Sequence, residues 1–332
     1  MPYWAHTRHI VIKETLINMG NLKRLHLTSR ALIYLIGFVV FGYFPLSAKV
    51  SLVASLTDIR YIAEQIAGDR ADVYGMIRGT DDPHFVMTRP DFLVKLNEAD
   101  ILCVIGLDLE VGWVPYLQQQ SRNVKIQKGQ PGYCDTSFGV KILGEPTVMM
   151  DRSMGDMHIY GNPHYWNDPI NAIQMAQNIK NALVRVDALN AEYFENNFTQ
   201  FKKKIIHVTK EELKKMEPYF GLKVAVFHDQ FIYLASRFKF NANLTIEERP
   251  GVPPSIRYMD QVVSYMIAEK IKIILIGPYH NPKYAEYVSS KVPGSVVVVL
   301  PVSVGGSAEA NTYEDTLRLM LQRIRDAADK TK

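Results

Sequence analysis

The chain has 332 residues, 47% hydrophobic and 22% charged, with two cysteines and 38 Lys plus Arg against 34 Asp plus Glu. This is the composition of one large or two small globular domains, and it excludes collagen-like, disordered and disulfide-framework classes. A formal charge of +4 points to anionic partners only if it is spread over the folded surface.

The first segment shows where that charge sits. Residues 1–48 carry Arg8, Lys13, Lys23, Arg24 and Arg30 against Glu14, and Ala31 to Phe44 (ALIYLIGFVVFGYF) is uncharged. A basic stretch, an apolar run too short to span a bilayer comfortably and a small residue at Ala48 form the layout of a secretory signal peptide. Met19 is an alternative start that gives a more ordinary leader, and an uncleaved anchor is the competing reading of the same run. The mature chain is expected to begin near Lys49 and to be soluble and periplasmic, with no cysteine at the cleavage point to carry a lipid. Without residues 1–48 the chain has 33 basic and 33 acidic residues, so the excess belongs to the export signal.

Past Lys49, strand-like and helical patterns alternate. Lys49 to Ser55, Ala71 to Ile77, Asp100 to Ile105 and the weaker Asn123 to Gln127 read as strands. Ile59, Ile62, Ala63 and Ile66 keep helical spacing up to Gly68, and TRPDFLVKLNEA forms a second helix. A similar unit starts near Leu222, with LKVAVF, NLTI, KIILI and SVVVVL as strands between helical segments. The expected fold is α/β, with two lobes that each hold a roughly four-stranded parallel sheet flanked by helices. Asp168 and Pro169 suit a helix start, and apolar spacing continues from Ile173 to Tyr193, which predicts one long rigid helix joining the lobes. The expected divisions are 49–167, a linking helix over 168–203, and 204–332. Cys103 falls in a strand and Cys134 in a loop, where two buried free thiols or a bridge are the readings left open.

Six histidines remain past the leader: His84, His158, His164, His207, His228 and His280. His84 in DDPHF, His164 in GNPHYW and His228 in FHDQ lie in loops near strand ends, where open α/β sheets bind ligands. Three neutral imidazoles are most of a zinc site. His207, in KKKIIHVTK, reads as a helix face, and His158 as a structural neighbour of the GNPHYW loop.

The segments DDPHF, LNEADILCVIGLDLEVGW, GDMHIYGNPHYWNDP, VFHDQFIYLASRF, ERPGVPPS and VVVLPVSVGG, in that order, resemble the zinc- and manganese-binding class of periplasmic solute-binding proteins of ABC importers. The resemblance covers about Lys49 to Arg325 and implies two lobes, a long joining helix, a transition metal in the cleft, and delivery to a membrane permease driven by an ATPase. It implies His84, His164 and His228 as metal ligands. A carboxylate at the third position is usual in manganese binders, so His228 favours Zn2+, with Mn2+ or iron as alternative cargo. The sequence departs from the pattern where an aspartate ligand is usual, with Val302 and Ser303 there, and Gly277 stands where a glutamate is common. The fourth ligand is then water, His280 or Glu247.

A secreted zinc-dependent enzyme would need a base beside an open metal position, and no H-E-x-x-H pairing exists. Asp229, the nearest acid to His228, reads as a helix N-cap. A surface adhesin finds no repeats or sorting tail in its support. The Lys202 to Lys204 run is followed by acids, so no nucleic acid is expected. The partners expected are the metal ion, the permease and its ATPase, with the chain itself a monomer and no catalytic residues.

Overall fold

The computed structural model describes residues 49–145 and 158–332; the expected signal peptide, its cleavage point and the start site lie outside the described residues. Among the described residues, no helix is long and apolar enough to cross a membrane. In the first lobe β1 (Val50–Ala54), β2 (Ala71–Gly75), β3 (Ile101–Val104) and β4 (Tyr133–Asp135) form a parallel sheet in the order β2-β1-β3-β4. Strands such as VSLVA and ILCV are apolar on successive residues because helices cover both faces of the sheet. Helix α1 (Thr57–Ala67) buries Ile59, Ile62, Ala63 and Ile66 against it and stops at Gly68, whose φ of 54° is open to glycine. Helices α2 (Pro90–Glu98) and α3 (Val114–Gln120) complete this part of the lobe.

The strand expected at Asn123 to Gln127 is corrected. Val124–Ile126 is a 3-10 turn whose entry Asn123 caps by accepting from the Lys125 N–H at 3.0 Å, while Asn123 Nδ2 donates to the carbonyls of Leu96 and Ala99. An Asn side chain that bonds local backbone in this way favours a turn over a ladder. The fourth strand is instead Tyr133–Asp135, in register with β3 so that Cys103 faces Cys134. Both thiols are buried and free, and burial, then Cys134 itself, push the Cys103 thiol well up from its ordinary value.

Between the lobes run α4 (Pro169–Val186) and α5 (Ala191–Met216). Asp168 does cap α4, its carboxylate accepting from the Ile170 N–H at 2.9 Å. The long helix joining the lobes is α5, with 26 residues, but it is not continuous with α4 as the apolar spacing suggests. Asp187 leaves helical geometry at φ −133°, ψ 76°, and its carboxylate accepts from Asn190 Nδ2 at 2.6 Å. Asp and Asn can divert local hydrogen bonds without disturbing hydrophobic periodicity, which is why the break is silent in the pattern.

The second lobe repeats the first. Strands β5 (Lys223–Val226), β6 (Asn241–Thr245), β7 (Ile273–Ile276) and β8 (Val296–Val299) form a parallel sheet ordered β6-β5-β7-β8. It is covered by α6 (Ile232–Phe238), α7 (Ile256–Ala268), α8 (Pro282–Lys291) and α9 (Tyr313–Lys330). In both sheets the strand order reverses beside the first strand of the lobe, so each has a crevice at its strands' carboxyl ends.

Helix α5 belongs to both cores. Phe194, Phe198, Phe201 and Ile205 join the first lobe's core, and Val208 and Met216 join the second's. At ~1.5 Å per residue it runs ~39 Å. The lobes are also tied side by side: Arg237 forms a paired bond to Asp168, both contacts at 2.8 Å, Trp166 Nε1 donates to the Val302 carbonyl at 3.0 Å, and the Tyr313 hydroxyl donates to the Trp166 carbonyl at 2.6 Å. At Gly79 a Cβ would come 2.1 Å from the Val304 carbonyl oxygen, so glycine permits the backbone approach there.

Phe194 is fully buried, whereas Leu189 in the preceding turn is 89% exposed. Phe194→Ala is expected to lower the unfolding free energy by about 3–5 kcal/mol in urea titration. Leu189→Ala should change it by less than about 0.5 kcal/mol.

Candidate metal centre

The loops after the strands carry the histidines, and two use the same local device. In Asp82-Pro83-His84, the Asp82 Oδ1 accepts from the His84 backbone N–H at 3.0 Å and lies 2.8 Å from His84 Nδ1. In Asn162-Pro163-His164, the Asn162 Oδ1 accepts from the His164 N–H at 2.9 Å and lies 3.0 Å from His164 Nδ1. An Asx side chain two residues ahead thus fixes both the backbone and the ring. Trp113 Nε1 pins the first loop by donating to the Pro83 carbonyl at 2.9 Å, and Asn162 Nδ2 ties the second to the Asp229 carbonyl at 3.0 Å. His228 follows β5 almost at once, and its ring is held by Glu247 from beyond β6, with Nδ1 to Oε2 at 2.8 Å.

All three Nδ1 atoms therefore face an oxygen that can only accept. In the neutral ring the proton then sits on Nδ1, and the Nε2 lone pair is left for a ligand. The structure brings His84, His164 and His228 together, all buried, with one ligand atom from each lying within 4.8 Å of the others. Their ring centroids are 5.0 to 5.3 Å apart, and the Nε2 atoms of His164 and His228 are buried with no hydrogen-bond partner. A tetrahedral ion with Zn–N near 2.0–2.1 Å holds its nitrogens roughly 3.3 Å apart, so a small contraction would close such a shell.

The electrostatics differ by site. Burial, then the neighbouring His228 and His84, hold the His164 imidazole well below its ordinary range. For His228 burial acts in the same sense, but the carboxylates of Asp229, Glu247 and Asp82 outweigh it and raise the ring to about 9.

The other expected positions have other partners. His280 Nδ1 accepts from the Gly277 N–H at 2.9 Å, and its ring stacks on Phe227 at 4.4 Å. Glu247 spends its Oε2 on His228 Nδ1. The Ser303 hydroxyl bonds the buried Asp58 carboxyl, and the Val302 carbonyl takes the Trp166 indole, so this stretch serves the contact between lobes. His207 is exposed on α5 beside Glu211, as a helix face should be. Asp229 is no N-cap: the extended residue ahead of its 3-10 turn is His228, no side chain caps it, and the half-exposed Asp229 carboxylate lies 3.3 Å from His228 Nε2. The sequence reading missed Asp82 and Asn162 as positioning residues, although the D-P-H and N-P-H spacing was a usable signal. His158, expected as a structural neighbour of the GNPHYW loop, has its ring 5.3 Å from His84 and 6.1 Å from His164.

Comparison with known proteins agrees with this architecture. The profile of the family described as zinc-uptake complex component A, periplasmic (ZnuA), matches residues 52–327. The chain is 23% identical over 291 residues to the metal ABC transporter substrate-binding lipoprotein ScbA of Streptococcus cristatus, covering 86% of this chain and 90% of that protein. It is 22% identical over 287 residues to the high-affinity zinc uptake system protein ZnuA of Bacillus subtilis, covering 84% and 88%. A crystal structure of ZnuA superposes with a TM-score of 0.71 at 22% identity, covering 84% of this chain and 99% of that one.

The Glu247 carboxylate is among the groups that raise His228 to about 9. In metal-free protein, Glu247→Gln removes that charge and is expected to move the His228 titration to lower pH, read by NMR of the ring nitrogens. An unchanged titration would show that Glu247 does not hold the ring.

Proposed function

Given that the chain belongs to the periplasmic zinc-uptake complex component A family, we propose that it is the extracytoplasmic metal-binding component of an ABC importer. It captures a divalent transition metal, zinc, between its lobes on His84, His164 and His228. It then delivers the ion to a membrane permease driven by an ATPase. The observation that carries this reading is the convergence of three imidazoles from both lobes, each with Nδ1 against an oxygen acceptor.

Donor chemistry supports zinc. Imidazole nitrogen suits zinc, whereas manganese prefers oxygen donors, and the carboxylates of Asp82 and Glu247 are turned to the far side of their rings. The Asp229 carboxylate, 3.3 Å from His228 Nε2, is the feature that a manganese reading would use. The protein acts as a monomeric carrier and not as an enzyme: among the described residues, Asp82 and Glu247 are bonded to the Nδ1 side of their rings, and Asp229, beside His228 Nε2, is the one acid on the ion's side. With both lobes sharing α5, release by the permease would act on the histidine loops and would not need a wide swing of the lobes.

Zinc binding is expected to fall roughly 100-fold or more in each of His84→Ala, His164→Ala and His228→Ala, since even the removal of a partner behind a ligand costs about 10–100-fold. Manganese outcompeting zinc at equal free concentration would overturn the choice of metal. Because His228 titrates at about 9 in the metal-free protein, it is protonated at pH 7 and must lose that proton to bind an ion. Calorimetry in buffers of different ionisation enthalpy should show about one proton released per zinc at pH 7, with affinity rising with pH until the release vanishes above that titration.

A further inference from the structure

Three imidazoles leave a tetrahedral ion one ligand short. Besides water, the expected candidates for the last place have other partners: His280 has the Gly277 N–H and the Phe227 ring, and Glu247 has His228. His158 differs. Its Nε2 is buried and has no hydrogen-bond partner, and its ring lies at 35° to His84 with centroids 5.3 Å apart and edge-on to His164 at 6.1 Å.

We propose that His158 is a fourth ligand of the ion held by His84, His164 and His228, so that the cargo sits in a closed shell of four imidazole nitrogens. The proposal rests on the three-histidine reading above. A buried polar nitrogen without a partner costs about 1–3 kcal/mol, and such an atom in a folded protein calls for a role, an absent ion among them. The Asp229 carboxylate has no such deficit, because its side chain is 49% exposed and stays hydrated.

His158 stands slightly outside the group of mutually close ligand atoms, which contains the other three. Its backbone is in a turn, with the Gly161 N–H donating to the His158 carbonyl at 3.1 Å. The side chain therefore has to close in as the ion binds. The chemical consequence is specific. Zinc sites closed by four protein ligands hold the ion without exposing it, whereas sites that keep a water position are the hydrolytic ones. Four imidazoles would thus favour zinc over manganese and keep an exchangeable water off the ion during carriage.

The test is zinc K-edge X-ray absorption of the zinc-loaded protein and of His158→Gln, with chelator competition at pH 7 and thermal unfolding of both metal-free forms. Four imidazoles are expected in the native protein and three plus an oxygen in His158→Gln, with affinity reduced roughly tenfold or more and metal-free unfolding unchanged. If His158→Gln does not fold, His158→Asn is read in the same way. Three imidazoles plus an oxygen in the native protein, or equal affinity in the variant, would overturn the fourth-ligand assignment and leave the three-histidine site standing. Undiminished zinc binding in His84→Ala and His164→Ala would instead sink the site as a whole.

Discussion

Everything at this site depends on one hydrogen bond made three times, from an imidazole Nδ1 to an oxygen that can only accept. Asp82, Asn162 and Glu247 supply those oxygens at 2.8 to 3.0 Å. Without them each ring could place its proton on either nitrogen and turn about its own bonds. With them the direction of each Nε2 is fixed by the fold, which lowers the ordering cost of binding a ligand there. The surroundings of the rings set opposed electrostatics: burial and neighbouring imidazoles lower His164, whereas at His228 the carboxylates of Asp229, Glu247 and Asp82 outweigh burial and raise the ring.

The fold exists to bring those acceptors and rings into one place. Two sheets of the same strand order point their carboxyl ends at a shared crevice, and α5 runs through both cores, so the lobes cannot separate without exposing part of one of them. Further bonds cross the crevice: Arg237 to Asp168, Trp166 to Val302, Asn162 to Asp229. The stretch Val302–Ser303 serves the contact between the lobes, its carbonyl taking the Trp166 indole and its hydroxyl the Asp58 carboxyl.

The strands and their parallel pairing were legible because buried runs such as ILCV and IILI have few other uses in a chain of this kind. The helix start at Asp168 was legible through capping chemistry. The break at Asp187 and the turn at Asn123 were not, because both depend on a side chain competing with the backbone for hydrogen bonds, which leaves the apolar period intact. His84, His164 and His228 stood out by their place at strand ends. The role of Glu247 did not, since the bond to His228 joins neighbouring strands and spans 19 positions.

The sequence by itself determined the two α/β lobes and the loops that carry the histidines, because each of these follows from residues within a few positions of one another. It also determined that residues 49–332 are formally neutral, the positive excess of the chain lying in the first 48 residues. Only the tertiary structure decided that His228 meets the other two rings, that Glu247 orients it, and that His158 stands beside them with its nitrogen unanswered. Those are distances between segments far apart in the chain, and they are set by how the two sheets pack about α5, which no local pattern encodes.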